Sequence, residues 1–260
     1  EAEKLDLTLV SADAHLMGAM MQMILGSYIK GAWNIRAAWS LYSGVFAERE
    51  RSPDTVPAPL QCIVDFGVGM FNLVVSLLPS TYIAVAQAVG FSGDREVAMR
   101  LLKRSSASGE FWAPFSNLLL LYFYTQLCPM LGISTPDHVG EVDALLASDV
   151  ARKFPEACLY LWMRGGGERL KGRHEEAQEW LGKAEAVSGS MPALQAIIQN
   201  DLLWVALTRL DLQAAHKALT PLLETASPTP YHSVYAYEAG VVLLCQGDEK
   251  GATTAFTRVG

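Results

Sequence analysis

The chain has 260 residues, of which 51% are hydrophobic, 9% aromatic and 18% charged. That apolar content supplies one large core or two small ones, and it excludes disordered, collagen-like and disulfide-dense classes. The net charge of −7 is uneven, with 15 acidic against 9 basic residues in 1–149 and 12 against 11 in 150–260. Neither part has the basic stripe that neutralising phosphates needs, so nucleic acid is not an expected partner.

From its first residues the chain reads as helix. Leu5, Leu9, Ala12, Leu16, Ala19, Met20, Met23 and Ile24 recur at three and four, which predicts a helix over 5–25. Gly26-Ser27 is a turn with Ser27 as the expected N-cap. A second helix follows from Tyr28 to Phe46, and two helices joined by so short a break pack antiparallel. The charged run Glu48-Arg49-Glu50-Arg51, followed by Pro53, Pro57 and Pro59, reads as the clearest linker. Further helices are expected over 60–78, 81–89, 94–105, 112–131 and 135–146, with Asp94 as an acid in a first helical turn. No window alternates as a strand does, so the chain is all-α.

Two stretches, Phe66 to Gly93 and Phe111 to Pro136, contain no Asp, Glu, Lys or Arg. Glycine, asparagine and proline break both into apolar runs of about a dozen residues, which suits buried core helices better than membrane spans. Contact with a lipid surface is the alternative. Cys62, Cys128, Cys158 and Cys245 form no CxxC pair and lie in apolar helical surroundings, which predicts buried thiols in a reducing compartment. The chain opens on Glu1 rather than Met, and no terminating cap closes its last helix, so a piece of a longer protein is expected.

Beyond residue 155 three short turns align: Lys171-Gly172-Arg173, Arg209-Leu210-Asp211 and Gln246-Gly247-Asp248, with centres 38 and 37 residues apart. Five residues after the centres stand Ala177, Ala215 and Ala252, and four further on stand Leu181, Leu219 and Phe256. Apolar helices at 159–170, 197–209 and 234–245 precede the turns. A helix–turn–helix unit of this period with Ala-x3-Leu/Phe is a tetratricopeptide-like pattern. One such hairpin cannot bury its apolar face alone, whereas stacked neighbours can. The expected fold is therefore an all-α, right-handed superhelix of antiparallel helix pairs. Its expected parts are a long hairpin over 1–52, a linker over 53–59, an irregular helical region over 60–154 and three helix pairs over 155–260.

Three ordered segments carry a resemblance to a known family. Tyr28-Ile29-Lys30-Gly31 with Trp33, Arg36, Trp39 and Tyr42 is similar to the "YIKGxWxxRxAWxxY" segment of the tetratricopeptide repeat protein 39 family, which includes the fungal inclusion-body clearance proteins. Gly67-Val68-Gly69-Met70-Phe71-Asn72-Leu73 with Ser76-Leu77-Leu78-Pro79 resembles its "GxGxFNLxxSLLP" run, and Gly90-Phe91-Ser92-Gly93-Asp94-Arg95-Glu96 its "GFxGDRE" turn. The resemblance covers nearly the whole chain. It implies a cytoplasmic, non-catalytic adaptor that works by protein association, linked to inclusion-body clearance or lipid homeostasis. It also implies contact with lipid droplets or the outer mitochondrial surface as an alternative.

Candidate contacts come from two places. In the first hairpin, Tyr28, Lys30, Asn34 and Arg36 read either as a groove for an acidic partner or as an aromatic packing seam with solvated charges. In the repeats, the first helix of each pair lines the inner wall in this architecture, which points to Arg164, Asn200, Trp204, Tyr235 and Glu238 as contacts for a protein or peptide segment. Other motifs read as structure. Gly67-x-Gly69 lacks the strand and third glycine of a dinucleotide loop and suits a close helix crossing. Asn72 is a buried amide that needs partners, either in nearby backbone or in the Gly93-Asp94-Arg95 turn. Arg164-Gly165-Gly166-Gly167 lacks a phosphate loop's Lys-Ser/Thr and suits tight packing. The five histidines show no ligand spacing, and no GxSxG elbow or activated cysteine is present, so no metal, cofactor or enzymatic chemistry is expected.

Overall fold

The computed structural model describes residues 2–78, 93–189, 191–224 and 232–259, and no strand occurs among them. The helix expected over 81–89 lies outside the described residues, as do Pro79 and the Gly90-Phe91-Ser92 part of the third motif. The chain divides into two compact units, Glu1–Leu121 with Ser148–Lys153, and Tyr122–Ala147 with Phe154–Gly260.

The first unit begins with a long hairpin of α1 (Ala2–Ile24) and α2 (Tyr28–Arg51). Gly26 takes φ +72°, and the Ser27 amide donates to the Gln22 carbonyl at 2.7 Å, a glycine-centred helix stop that turns the chain back. Ser27 occupies the N-cap position of α2, yet its side chain makes no capping bond. Leu5, Leu9 and Ala12 of α1 share one core with Ala38, Tyr42 and Val45 of α2 and with Leu60, Val64, Val68 and Phe71 of α3 (Ala58–Ser76).

Of the run read as a linker, Glu48-Arg49-Glu50-Arg51 is instead the last turn of α2. Arg49 is buried there and ion-pairs with buried Asp65 of α3, which also accepts from Arg104 at 2.5 and 2.6 Å. A carboxylate that far from water requires such cations, so the pairing extends α2 to Arg51. A short 3-10 turn, Pro53–Thr55, then leads into α3. Among the described residues α3 is long and apolar enough to cross a membrane, but most of it is buried and this ionic triad sits near its centre. That is the profile of a core helix.

Helix α4 (Arg95–Ala107) packs on α3. Asp94 caps it by accepting from the Val97 amide at 3.0 Å. Asn72 satisfies both expectations: its amide donates to the Val68 carbonyl at 2.9 Å, and its oxygen accepts from the Asp94 amide at 3.2 Å. The glycine pair is a close crossing. A Cβ on Gly67 would run into the Tyr42 ring, and one on Gly69 would lie 2.9 Å from Leu102 Cγ. Helices α5 (Ala113–Tyr122) and α8 (Asp149–Arg152) complete the described elements of this unit.

The second unit opens with a π-helical turn, Phe123–Leu127, then α6 (Cys128–Met130) and α7 (Asp137–Leu146). Three hairpins follow: α9 (Cys158–Leu170) with α10 (His174–Val187), α11 (Pro192–Thr208) with α12 (Leu212–Leu223), and α13 (His232–Cys245) with α14 (Glu249–Phe256). Helix α10 packs on α11, and α12 on α13, so each hairpin rests on its sequence neighbour.

The three aligned turns share one geometry. Gly172, Leu210 and Gly247 take φ of +72°, +57° and +83°. In each turn the following amide reaches back five residues to a carbonyl, Arg173 to Glu168, Asp211 to Ala206 and Asp248 to Leu243, at 2.9 to 3.0 Å. Leu210 therefore holds a left-handed conformation that costs an L-residue about 1–2 kcal/mol. Asp211 and Asp248 then cap α12 and α14.

Ala177, Ala215 and Ala252 are buried, and the larger residue one turn on closes each pair. A Cβ on Gly165 would sit 2.7 Å from Leu181 Cγ, and one on Gly240 would strike the Phe256 ring. Leu203 and Leu219 hold the equivalent places in the middle hairpin and share its core. Gly166 and Gly167 are as confined: their added Cβ atoms would meet Thr125 Cβ at 2.8 Å and Val142 Cγ1 at 3.0 Å. Three glycines weaken α9 by about 1 kcal/mol each relative to alanine, and close approach on three sides is what they permit. Cys62 and Cys128 are buried as expected, whereas Cys158 is half-buried and Cys245 is exposed at the end of α13.

Candidate protein-binding site

Arg164, Asn200 and Trp204 stand on helices, α9 and α11, that are tied by one ionic centre. Asp201, buried on α11, accepts from Trp162 Nε1 at 2.6 Å, Gln126 Nε2 at 3.0 Å and Arg169 Nη1 at 2.7 Å. Arg169 also donates to the Thr125 carbonyl at 3.2 Å and to Gln126 Oε1 at 2.9 Å. The three helical pieces involved, α9, α11 and the π-helical turn, are thereby tied through one carboxylate, whose several donors repay its removal from water. Sequence reasoning missed Asp201. Its only signal was an acid inside an apolar helix, with the arginine that neutralises it 32 residues earlier.

Around that centre the candidates fall as follows. Arg164 is half-buried on α9 with its guanidinium 5.4 Å from the Trp180 ring centroid, a cation–π contact from first helix to second. Asn200 is half-buried and Trp204 is 49% exposed, both on α11, which also touches α9. Tyr235 and Glu238 are half-buried on α13. Glu238 Oε2 is buried with no hydrogen-bond partner among the described residues, and burial pushes its carboxyl above the usual range. Elsewhere in this unit Lys171 pairs with Asp143 at 2.7 Å and Glu168 at 2.9 Å, and Arg209 with Glu175 at 3.3 Å. Apolar side chains stay in solvent on the same first helices, among them Leu159, Ile197, Val234 and Leu244.

In the first hairpin the candidates separate. Asn34 accepts at Oδ1 from His15 Nδ1 at 2.7 Å and donates through Nδ2 to Gln22 Oε1 at 2.9 Å, so it serves the α1–α2 seam. Tyr42 donates to Asp13 in the same seam, and burial raises both their pKa values, more than the hydrogen bond lowers that of Asp13. Lys30 and Arg36 are exposed. The side chain of Tyr28 lies outside the described residues. Ile29 and Trp33, grouped with the packing seam by spacing, are instead 77% and 71% exposed.

Nothing in these arrangements pairs a nucleophile with a base, and among the described residues no three His, Cys, Asp or Glu side chains gather as metal ligands. What they offer is binding: a half-exposed indole, a carboxyl short of a donor, and apolar side chains on successive first helices. The model of the Iml2/tetratricopeptide repeat protein 39 family matches residues 1–259, and the chain belongs to that family. Repeat proteins of this kind are generally protein-binding and non-catalytic.

Proposed function

We propose that this family member is an adaptor that holds an extended protein segment along its first repeat helices, α9, α11 and α13. Trp204 supplies an apolar anchor of the size that dominates such contacts, and Arg164 and Asn200 supply polar edges. The observation that carries the reading is Glu238 Oε2 on α13, a buried acceptor with no hydrogen-bond partner among the described residues, a state it shares in this unit with Tyr160 Oη and His174 Nδ1. An unmade hydrogen bond at a buried acceptor costs about 1–3 kcal/mol, which an amide or cation from a bound segment would restore. The resemblance to fungal inclusion-body clearance proteins suggests that the segment belongs to a client or factor of that process, in the cytoplasm. Exposed Lys30 and Arg36 on α2 suit an acidic group.

The test is affinity capture from cell lysate with the wild type, Trp204→Ala, Glu238→Gln and Lys217→Ala, the last an exposed side chain on a second helix. The two first-helix variants should lose the same captured proteins by roughly tenfold, and Lys217→Ala should keep them. Equal capture by all four would refute the reading.

A further inference from the structure

Helix α1 carries two apolar stripes. Leu5, Leu9, Ala12 and Ala19 are buried. Leu7, Val10, Ala14, Met17 and Met21 recur at three, four, three and four residues, and the four larger side chains are each more than half exposed. Five positions in that spacing span two heptads, the pattern by which one helix receives another. Among the described residues no helix covers this stripe of α1.

The hairpin is also asymmetric along its length. At the open end, Glu3, Lys4, Leu7, Thr8, Ser11 and Leu41 line a shallow cleft of about 540 Å3. At the turn end, Lys30, Trp33, Ala37 and Leu41 recur at three, four and four, so Trp33 and Lys30 stand on the edge of α2 that leads into the cleft. The charges are divided in the same way. In residues 2–13 Glu3, Asp6 and Asp13 outnumber Lys4, whereas residues 14–47 contain Lys30, Arg36 and no acid.

The geometry points to a second copy of this chain as the occupant, with two α1 stripes packed antiparallel about a two-fold axis at Ala14. Asn34 bonds both His15 and Gln22, which sets Trp33 about 8 Å on the turn side of Ala14. Thr8, in the cleft, lies about 9 Å on the other side. An antiparallel pair therefore seats the exposed Trp33 of each copy over the cleft of the other. It also brings Lys30 of each copy to Glu3 of the other, and the small Ala14 at the axis permits close approach. A lipid surface would welcome the basic, apolar turn end but would meet Glu3 and Asp6 beside Leu7, so it matches only half the stripe.

Sedimentation equilibrium of the purified full chain tests this. The wild type should approach twice its 28.3 kDa at micromolar concentration. Lys30→Glu, an exposed substitution made twice per dimer, should raise the dissociation constant roughly tenfold. Adding Glu3→Lys should restore it, which a general loss of folding could not do. Ala14→Cys in a Cys245→Ser background should cross-link to itself on mild oxidation, because only a two-fold axis there brings the two Cα atoms within disulfide reach. A wild type that stays monomeric at the highest concentration overturns the proposal, as does a charge swap that fails to rescue. A monomer that instead floats with vesicles of phosphatidylcholine and phosphatidylserine assigns the stripe to lipid and overturns it equally.

Discussion

The α1–α2 hairpin and the three repeat hairpins are both antiparallel helix pairs, but they close by different means. The first and third repeat pairs are sealed by apolar size matching, Gly165 to Leu181 and Gly240 to Phe256, all three turn through a positive φ, and successive hairpins pack on one another. The α1–α2 pair is longer, adds polar links (Asp13 to Tyr42, and His15 to Asn34 to Gln22), and keeps an apolar stripe outside. Repeats export their unburied surface to a neighbour of the same kind, and a lone hairpin has no such neighbour in sequence. The contrast teaches that hydrophobic spacing identifies an amphipathic face but does not say whether this chain or another covers it.

Breaking each region at its own closure sharpens the comparison. The largest effect is expected from Asp65→Ala, which leaves buried Arg49 with only the exposed Glu50 carboxylate at 2.9 Å and should cost about 3–5 kcal/mol, read as a lower denaturant midpoint. Gly165→Val forces a branched side chain against Leu181 and should cost about 1–3 kcal/mol in the same measurement. Gly44, by contrast, has open space where a Cβ would go, so Gly44→Ala should raise helix stability by up to about 1 kcal/mol. The turns make an opposed pair. Gly172→Ala should destabilise by about 1 kcal/mol, while Leu210→Gly, which removes left-handed strain at an exposed residue, should stabilise by about 0.5–1 kcal/mol.

The smallest effect is a pH dependence. Burial raises the Glu238 pKa in the folded state above its ordinary 4.5. The folded state therefore binds the proton more tightly, and this contribution to stability is complete below that ordinary value. It is lost as pH rises through the folded value. Glu238→Gln should accordingly melt above the wild type at neutral pH, and the gap should close on acidification toward pH 4.5.

The repeats were legible because their rule is local. Period, small residue and turn lie within one window, so the alignment of Gly172, Leu210 and Gly247 located three turns of one geometry. Asn72 was legible for a similar reason, since a buried amide must bond and one of its expected partners was the nearby turn. Glu48–Arg51 was misread as a linker because the group that makes it helical, Asp65, lies in another element and the charge run alone looks solvated. The ionic centre at Asp201 was hidden because its donors come from residues 126, 162 and 169, with no common spacing.

A photo-cross-linking side chain placed at Trp204 of α11 and, separately, at Lys217 of α12 in the full chain expressed in cells would show whether a protein segment lies along the first repeat helices. The account predicts a discrete cross-linked polypeptide from position 204 that weakens with Glu238→Gln, and none from position 217. Cross-links from 217 alone, or an unchanged yield from 204 in Glu238→Gln, would contradict it.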